Sequence, residues 1–311
     1  MNALLEVYWR RVDLQKAFPE ASALKLNRLM QWAAEVAAHT WEDSAYATLR
    51  PNADWYEQTA YGNLYRKMPP KRMRAEIGAR NYRKGGQDFV QHLITEGQLA
   101  PTARVLDVGC GCGRMALPLT HYLISGSYEG FDANRKYVSW CRKNITTEYP
   151  NFGFEHTDVL NELYNPNGKI KACELTFKYD NNSFDFVFLA SVFTHMLPVD
   201  MEHYMSEITR VLKDGGTCFI TFFLLNAESE QLLTEKRSDM NFLPRRNDER
   251  YRTINYGRPE DAVAYPETYI RQLYEKNGFT INPPVFYGSW CQRKDPLNYQ
   301  DIVVARKQAP A

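Results

Sequence analysis

Apolar and polar positions follow two rhythms along this chain. From Met201 the residues Met201, Tyr204, Met205, Ile208, Val211 and Leu212 recur at helical spacing, which predicts an amphipathic helix. "KDGG" closes it, with Lys213 in the last turn and glycines beyond. Phe89, Val90, Leu93 and Ile94 mark another helix, and Ile270, Leu273 and Tyr274 a third, opened by Pro266 and followed by Gly278. Between the helical stretches lie short apolar runs: "RVLDVG", "YEGFD" (128–132), "FGFEHTD" (152–158), "FDFVFLA" (184–190), "TCFITFF" (217–223), "PVFYGSW" and "DIVVARK". The fourth is dense in apolar residues, as a strand covered on both faces must be. Alternation of seven strands with helices predicts an α/β fold, a doubly wound, mostly parallel sheet. Pro118 lies within the helix that carries Met115, Leu119 and Leu123 and is expected to bend it.

Two segments break the alternation. Residues 1–84 hold one helical pattern, Leu26, Leu29, Met30, Ala33, Val36 and Ala37, followed by an aromatic and basic stretch with no clean period. They are expected to form an N-terminal helical and covering extension ahead of a domain at 85–311. Residues 226–265 are polar, charged and irregular, too long for a simple connection. They read as an insertion or lid, with Arg245, Arg246, Arg250, Tyr251 and Arg252 near Asn241 and Phe242.

Composition narrows the class. The 311 residues carry a net charge of +1, with 24% charged and 44% apolar residues. That charge balance offers no broad basic face for nucleic acid. No apolar run reaches the roughly 18 residues of a membrane span, and the first residues carry no cleavage signature, so a cytoplasmic protein is expected. Six scattered cysteines lack the density of a disulfide framework.

The chemistry centres on "VLDVGCGCGRMALPL", residues 105–119. A strand ending in an acid, Asp107, runs into Gly109, Gly111 and Gly113 and then a helix. Such a turn presents backbone N–H groups, and glycine lets a ligand approach closely. A dinucleotide fingerprint needs its third glycine at position 114, which is Arg114; this disfavours a nicotinamide oxidoreductase. Cys110 and Cys112 have no matched second pair, so no metal site is expected and the thiols read as small side chains in a crowded loop.

"VLDVGCGCGR" resembles the first motif of class I S-adenosylmethionine (SAM) dependent methyltransferases, and the resemblance continues in order over about residues 85–307. It implies that fold and SAM as cofactor. Asp107, Gly109, Cys110, Gly111, Gly113 and Arg114 would surround the methionine end. Asp132, with Ala133 after it, would take the ribose hydroxyls, which suit a carboxylate able to accept both hydrogen bonds. Asp158 and Val159 would meet the adenine, with Ala190 and Ser191 in the strand-four motif "FDFVFLASVFTHM" and "RVLKDGGTCFIT" leading through strand five. Tyr82, just before the first helix of the domain, reads either as a side chain closing over SAM or as a surface tyrosine.

Transfer of a methyl group to an oxygen requires that a proton leave, and a positioned base takes it. His195 follows strand four at the end of the sheet where ligands bind in such folds; it reads as a general base, or else as a packing histidine. Asp200, Glu202 and His203 read as solvated, and the remaining histidines as structural. In "FYGSWCQRKDPLNYQD" (286–301), Trp290, Arg293 and Tyr299 read as an acceptor wall, since an aromatic face beside polar groups suits a sugar ring; a packed hairpin is the alternative. "SVFTHM", "YNPNGK" and "GSW" followed by "YQDIVVARK" resemble methyltransferases of bacterial surface-glycan biosynthesis, and the opening "YWRRVDLQKAFPEA" resembles leader segments of the same pathways. The expectation is O-methylation of a sugar or glycan hydroxyl. N-methylation of an amino sugar or small amine, and a degenerate fold acting as a binding module, are the rivals.

Overall fold

The computed structural model describes residues 68–78, 81–235, 238, 240–244 and 247–309. The helix expected around Leu26–Ala37 and the cations Arg245 and Arg246 lie outside the described residues. Helices α1 (Lys71–Glu76) and α2 (Tyr82–Thr95) precede strand β1 (Arg104–Val108), helix α3 (Ala116–Tyr122) and strand β2 (Ser127–Asp132). Helix α4 (Arg135–Cys141) runs on as a π turn, Arg142–Thr146, before β3 (Phe152–His156). Strand β4 (Phe184–Leu189) leads to helix α5 (Pro198–Val211) and the long strand β5 (Leu212–Phe222).

The main sheet has seven strands in the order β10-β11-β5-β4-β1-β2-β3, where β10 is Phe279–Ile281 and β11 is Asp301–Lys307. Strand β4 runs parallel to both β1 and β5, while β11 is antiparallel to β5 and β10. This is the doubly wound, mostly parallel sheet expected. Strand β4 buries five of its six residues, in keeping with its apolar run. The predicted face of α5 is the buried one, with Met201, Tyr204, Met205, Ile208 and Val211 inside, packed with Val187, Ile220 and Phe222 of β4 and β5.

Three expectations change. Pro118 falls in the first turn of the short α3, where a backbone N–H has no partner to lose, so it interrupts no helical bond. The sixth strand is "FTI" at Phe279–Ile281, and the "PVFYGSW" run contributes only an isolated bridge from Phe286 to Ile302 and a 3-10 turn at Ser289–Cys291. Pro283 and Pro284 explain the shift: proline lacks the donor that a ladder needs.

The third is segment 226–265, which is built rather than irregular. Strand β6 (Leu224–Leu225) leads into helix α6 (Ala227–Thr234), capped by Asn226 and Ser229 in a reciprocal capping box. Strands β7 (Leu243–Pro244), β8 (Arg252–Thr253) and β9 (Val263–Pro266) follow, and helix α7 (Glu267–Lys276) leaves β9. These form a four-stranded sheet, β6-β9-β8-β7, with its own core of Phe223, Leu225, Phe242, Ala262, Ala264 and Trp290. Two-residue strands carry no readable period, so only pairing partners far along the chain define them.

Among the described residues the chain divides into two compact units, one with those up to 103 plus 110–129 and 135–155, the other with 104–109, 130–134 and those from 156 onward.

Candidate functional site

In the first unit the glycine loop is held from α2. The Tyr82 hydroxyl donates to the Cys112 carbonyl at 2.7 Å, and Tyr82 is buried. One turn further along α2, a Cβ on Gly86 would stand 2.4 Å from the Arg114 carbonyl oxygen. Tyr82 is therefore a buttress of the loop rather than a side chain free to close over a ligand. Gly86 is a loop-packing residue that the sequence reading passed over; a glycine inside a helical pattern was the available signal. Gly113, at φ +79°, is enclosed, because a Cβ there would lie 2.7 Å from Ile145 Cδ1 and 3.2 Å from Cys141 Sγ. Gly111, at φ +54°, is open by contrast, with only Ile77 Cγ2 at 3.7 Å. All six cysteines are free thiols. Among the described residues, no group of His, Cys, Asp and Glu is placed to hold a metal ion, and no helix is long and apolar enough to cross a membrane.

In the second unit Asp107 is buried near the end of β1, and Gly109 follows with φ +79°. The Gly109 N–H donates to Phe131 O at 2.9 Å, and a Cβ would meet Val192 Cγ2 at 2.5 Å. Gly109→Ala combines a left-handed backbone with this clash, so it is expected to cost about 1–3 kcal/mol, read as a lowered urea midpoint. Asp132 ends β2 half-buried; one carboxylate oxygen accepts the Asn134 N–H at 2.7 Å and so turns the chain after Ala133. His156 Nε2 donates to the Ala133 carbonyl at 3.1 Å, a structural role as expected. Asp158 accepts from Asn165 Nδ2 at 3.2 Å, and its carbonyl takes the Lys169 and Ile170 N–H groups. Val159 beside it is buried. Tyr164 belongs to this neighbourhood: burial first, and the Asp132 charge second, hold its hydroxyl above the ordinary range. It sits within "YNPNGK", which gave no chemical cue to its place.

Beyond β4, Ala190 and Ser191 turn the chain. Ser191 adopts φ +61°, uncommon for a side-chain-bearing residue. Its N–H donates to Thr221 Oγ1 at 2.8 Å and its hydroxyl to Gln300 Oε1 at 2.9 Å. Gln300 Nε2 donates to Thr194 Oγ1 at 3.4 Å, so one amide ties Ser191 to the 3-10 turn Phe193–His195. His195 Nδ1 lies 2.9 Å from the Glu260 carbonyl. A carbonyl only accepts, so Nδ1 carries the hydrogen and Nε2 keeps its lone pair. Burial holds the imidazole below its ordinary 6.5, opposed by the Glu260 carbonyl and the Asp261 charge.

Trp290 and Arg293 depart from the expected acceptor wall. The Trp290 indole is buried and donates to Asp301 Oδ2 at 2.8 Å. Arg293 is buried too, and pairs with Asp301 Oδ1 at 2.9 Å, Glu228 Oε2 at 2.8 Å and Asn226 Oδ1 at 3.1 Å. Leu224 N–H and Gly288 N–H complete four donors on the Asp301 carboxylate. These side chains fasten the small sheet internally. Tyr299 alone of the three is exposed, at 50%, with its ring edge-on to Phe223. His203 Nε2 donates to the Leu175 carbonyl at 2.8 Å, a buttress where a solvated side chain was expected.

Known proteins bear on this arrangement. Residues 105–216 match the family described as "Methyltransferase domain". The phthiotriol/phenolphthiotriol dimycocerosates methyltransferase of Mycobacterium leprae is 31% identical over 113 residues, 36% of this chain and 35% of the relative. A Mycobacterium ulcerans counterpart is 30% identical over 118 residues, 38% and 36% of the two chains. The matched stretch thus spans about a third of the length of these relatives. A solved protein of Pyrococcus horikoshii OT3 superposes with a TM-score of 0.51 at 19% identity, covering 75% of this chain and 93% of that one, a likeness of fold. Over residues 105–216 the chain is thus similar to a methyltransferase domain, set in a mostly parallel seven-stranded sheet.

Proposed function

We propose that the protein transfers a methyl group from SAM to a hydroxyl of a sugar or glycan, with His195 as general base. The observation that carries the reading is the Nδ1 hydrogen bond from His195 to the Glu260 carbonyl. It leaves Nε2 as the basic nitrogen and aligns the ring, which an oxygen nucleophile needs and an amine does not. Short sequence resemblances alone support the glycan class; the mycobacterial relatives are named for phthiotriol and phenolphthiotriol dimycocerosates.

The residues present suit SAM. Three alternate glycines in the left-handed region turn the loop tightly, and Gly111 keeps open the space that a Cβ would fill. The loop with Asp107 would hold the methionine end, Asp132 the ribose, and Asp158 and Val159 the adenine, with Ala190 and Ser191 after β4. When bound, SAM supplies an electrophilic methyl group on a sulfonium. The chain's own residues orient that group, exclude water and remove the acceptor proton to His195 Nε2. Segment 226–265 and Tyr299 would line the acceptor side.

Calorimetry tests the cofactor assignment: SAM is expected to bind and NAD not. Asp132→Ala is expected to weaken SAM binding by about 1.5–3 kcal/mol, the worth of hydrogen bonds to a charged acceptor. Wild-type protein that fails to bind SAM would end the reading.

A further inference from the structure

Resting on the reading of His195 as the base, we propose that the 3-10 turn Pro259–Asp261 is the device that sets the tautomer and aim of His195, and that Thr253 is the positioning residue that holds this turn.

The connection runs through adjacent peptide groups. The Glu260 carbonyl takes the His195 Nδ1 hydrogen at 2.9 Å. The neighbouring Pro259 carbonyl takes the Thr253 hydroxyl at 2.7 Å. A hydroxyl has one hydrogen, and Asn255 O lies farther off, at 3.3 Å, so the shorter contact holds the proton. The Thr253 oxygen in turn accepts the Asn255 N–H at 3.2 Å. Thr253 is fully buried and sits in β8 opposite Val263 of β9, so both ends of the turn are strapped to the small sheet. From the solvent side Asn255 Nδ2 donates to Asp261 Oδ2 at 2.8 Å, and Arg258 pairs with Asp261. The Thr253 hydroxyl is engaged by Pro259 and Asn255, so its effect on His195 passes through the turn.

A neutral histidine in water divides its proton between two nitrogens. A fixed carbonyl opposite Nδ1 removes that choice, because the other tautomer would set two lone pairs against each other in a buried place. The charged and titratable groups around the ring are Asp261 and Glu260 on the turn itself. Asp200 of α5 and Glu162 of the β3–β4 connection act on Glu260 in their turn, and Glu260 acts on Tyr265 of β9.

The test is a long-range proton–nitrogen correlation spectrum of the full chain labelled with nitrogen-15 histidine, with His195 assigned by His195→Gln, beside initial rates. Wild type is expected to show Nδ1 protonated and Nε2 bare. Thr253→Val keeps the shape and loses the hydroxyl. It is expected to average the two nitrogen signals, lower kcat on the order of ten-fold, leave the KM for SAM within two-fold, and move the acid limb of kcat further below 6.5, because the Glu260 carbonyl is what opposes the lowering by burial. Thr253→Ser is expected to restore wild-type behaviour. Asn255→Ala, at an exposed position, should give a smaller change in the same direction and serves if Thr253→Val does not fold. Unchanged nitrogen signals in both variants, or an Nε2-protonated wild type, would overturn the proposal. A tautomer change without any change in kcat would uphold the positioning and remove His195 from the chemistry, so the two readings fail separately.

Discussion

His195→Ala is expected to lower kcat by about 10²- to 10⁴-fold, the usual worth of a positioned base, with SAM affinity nearly intact. The reasoning is local. The imidazole follows β4 in a 3-10 turn and its Nδ1 is committed to the Glu260 carbonyl, so its assigned task is proton transfer and not cofactor binding. The pH dependence follows from its surroundings. Burial holds the group below 6.5, so the neutral, basic form persists until the pH falls through that lowered value, and kcat in wild type should drop there. The alanine variant should lack this limb. Stability follows the same linkage: the unfolded chain binds the proton first, so the folded state loses stability as the pH falls from 6.5 toward the lowered value. Initial rates from pH 5 to 8 with SAM saturating provide the measurement. Activity within a few-fold of wild type would favour an amine acceptor, which is nucleophilic without a base.

Asp301→Asn is expected to destabilise the protein by about 3–5 kcal/mol, the cost of leaving a buried charge without its partner. Asp301 is fully buried, and burial pushes its carboxyl up, to about 6, so it is ionised at neutral pH. All four neighbours, Leu224 N, Gly288 N, Trp290 Nε1 and Arg293 Nη1, are donors. An amide in that place would turn its own donors toward two of them. Arg293, whose side chain is 3% exposed, would keep the neutral Asn226 and one carboxylate, Glu228, which is 60% exposed, and that is a weak substitute in a buried setting. Trp290→Phe, which removes one neutral donor, should cost less, about 1–3 kcal/mol. Urea unfolding followed by far-ultraviolet dichroism separates the two, and a loss below 1 kcal/mol for Asp301→Asn would contradict the ionised network.

The sequence was informative where one local rule decides. Glycine at 109, 111 and 113 carries left-handed backbone at all three positions, as a tight ligand-facing turn demands. The spacing of Met201, Tyr204, Met205 and Ile208 alone predicts which face of α5 is buried. Legibility fails where a residue's role depends on a distant partner. Trp290 and Arg293 looked like ligand contacts because aromatic and cationic side chains suit sugars. Their commitment to Asp301 is a property of the folded small sheet, since Asp301 also receives Leu224 from far earlier in the chain. The same holds for β6 and β9, whose Leu224–Tyr265 register no local pattern announces. His195 lies between these cases: its place after β4 was readable, and its carbonyl partner at Glu260 was not.

The returning end of segment 226–265 alters what can change in this chain over evolutionary time. Insertions are commonly regarded as additions to a finished fold, free to lengthen, shorten or vanish. Here Thr253, the turn at Pro259–Asp261 and strand β9 belong to the far end of the segment, and they reach back to His195 and to the Phe223 carbonyl through Tyr265 N–H. Homologous chains should therefore vary in length between Thr234 and Arg250, while the stretch from Tyr251 to Pro266 keeps its register. Loss of the whole segment would remove the partner of His195 along with it, so descendants without it must have found another way to orient that ring.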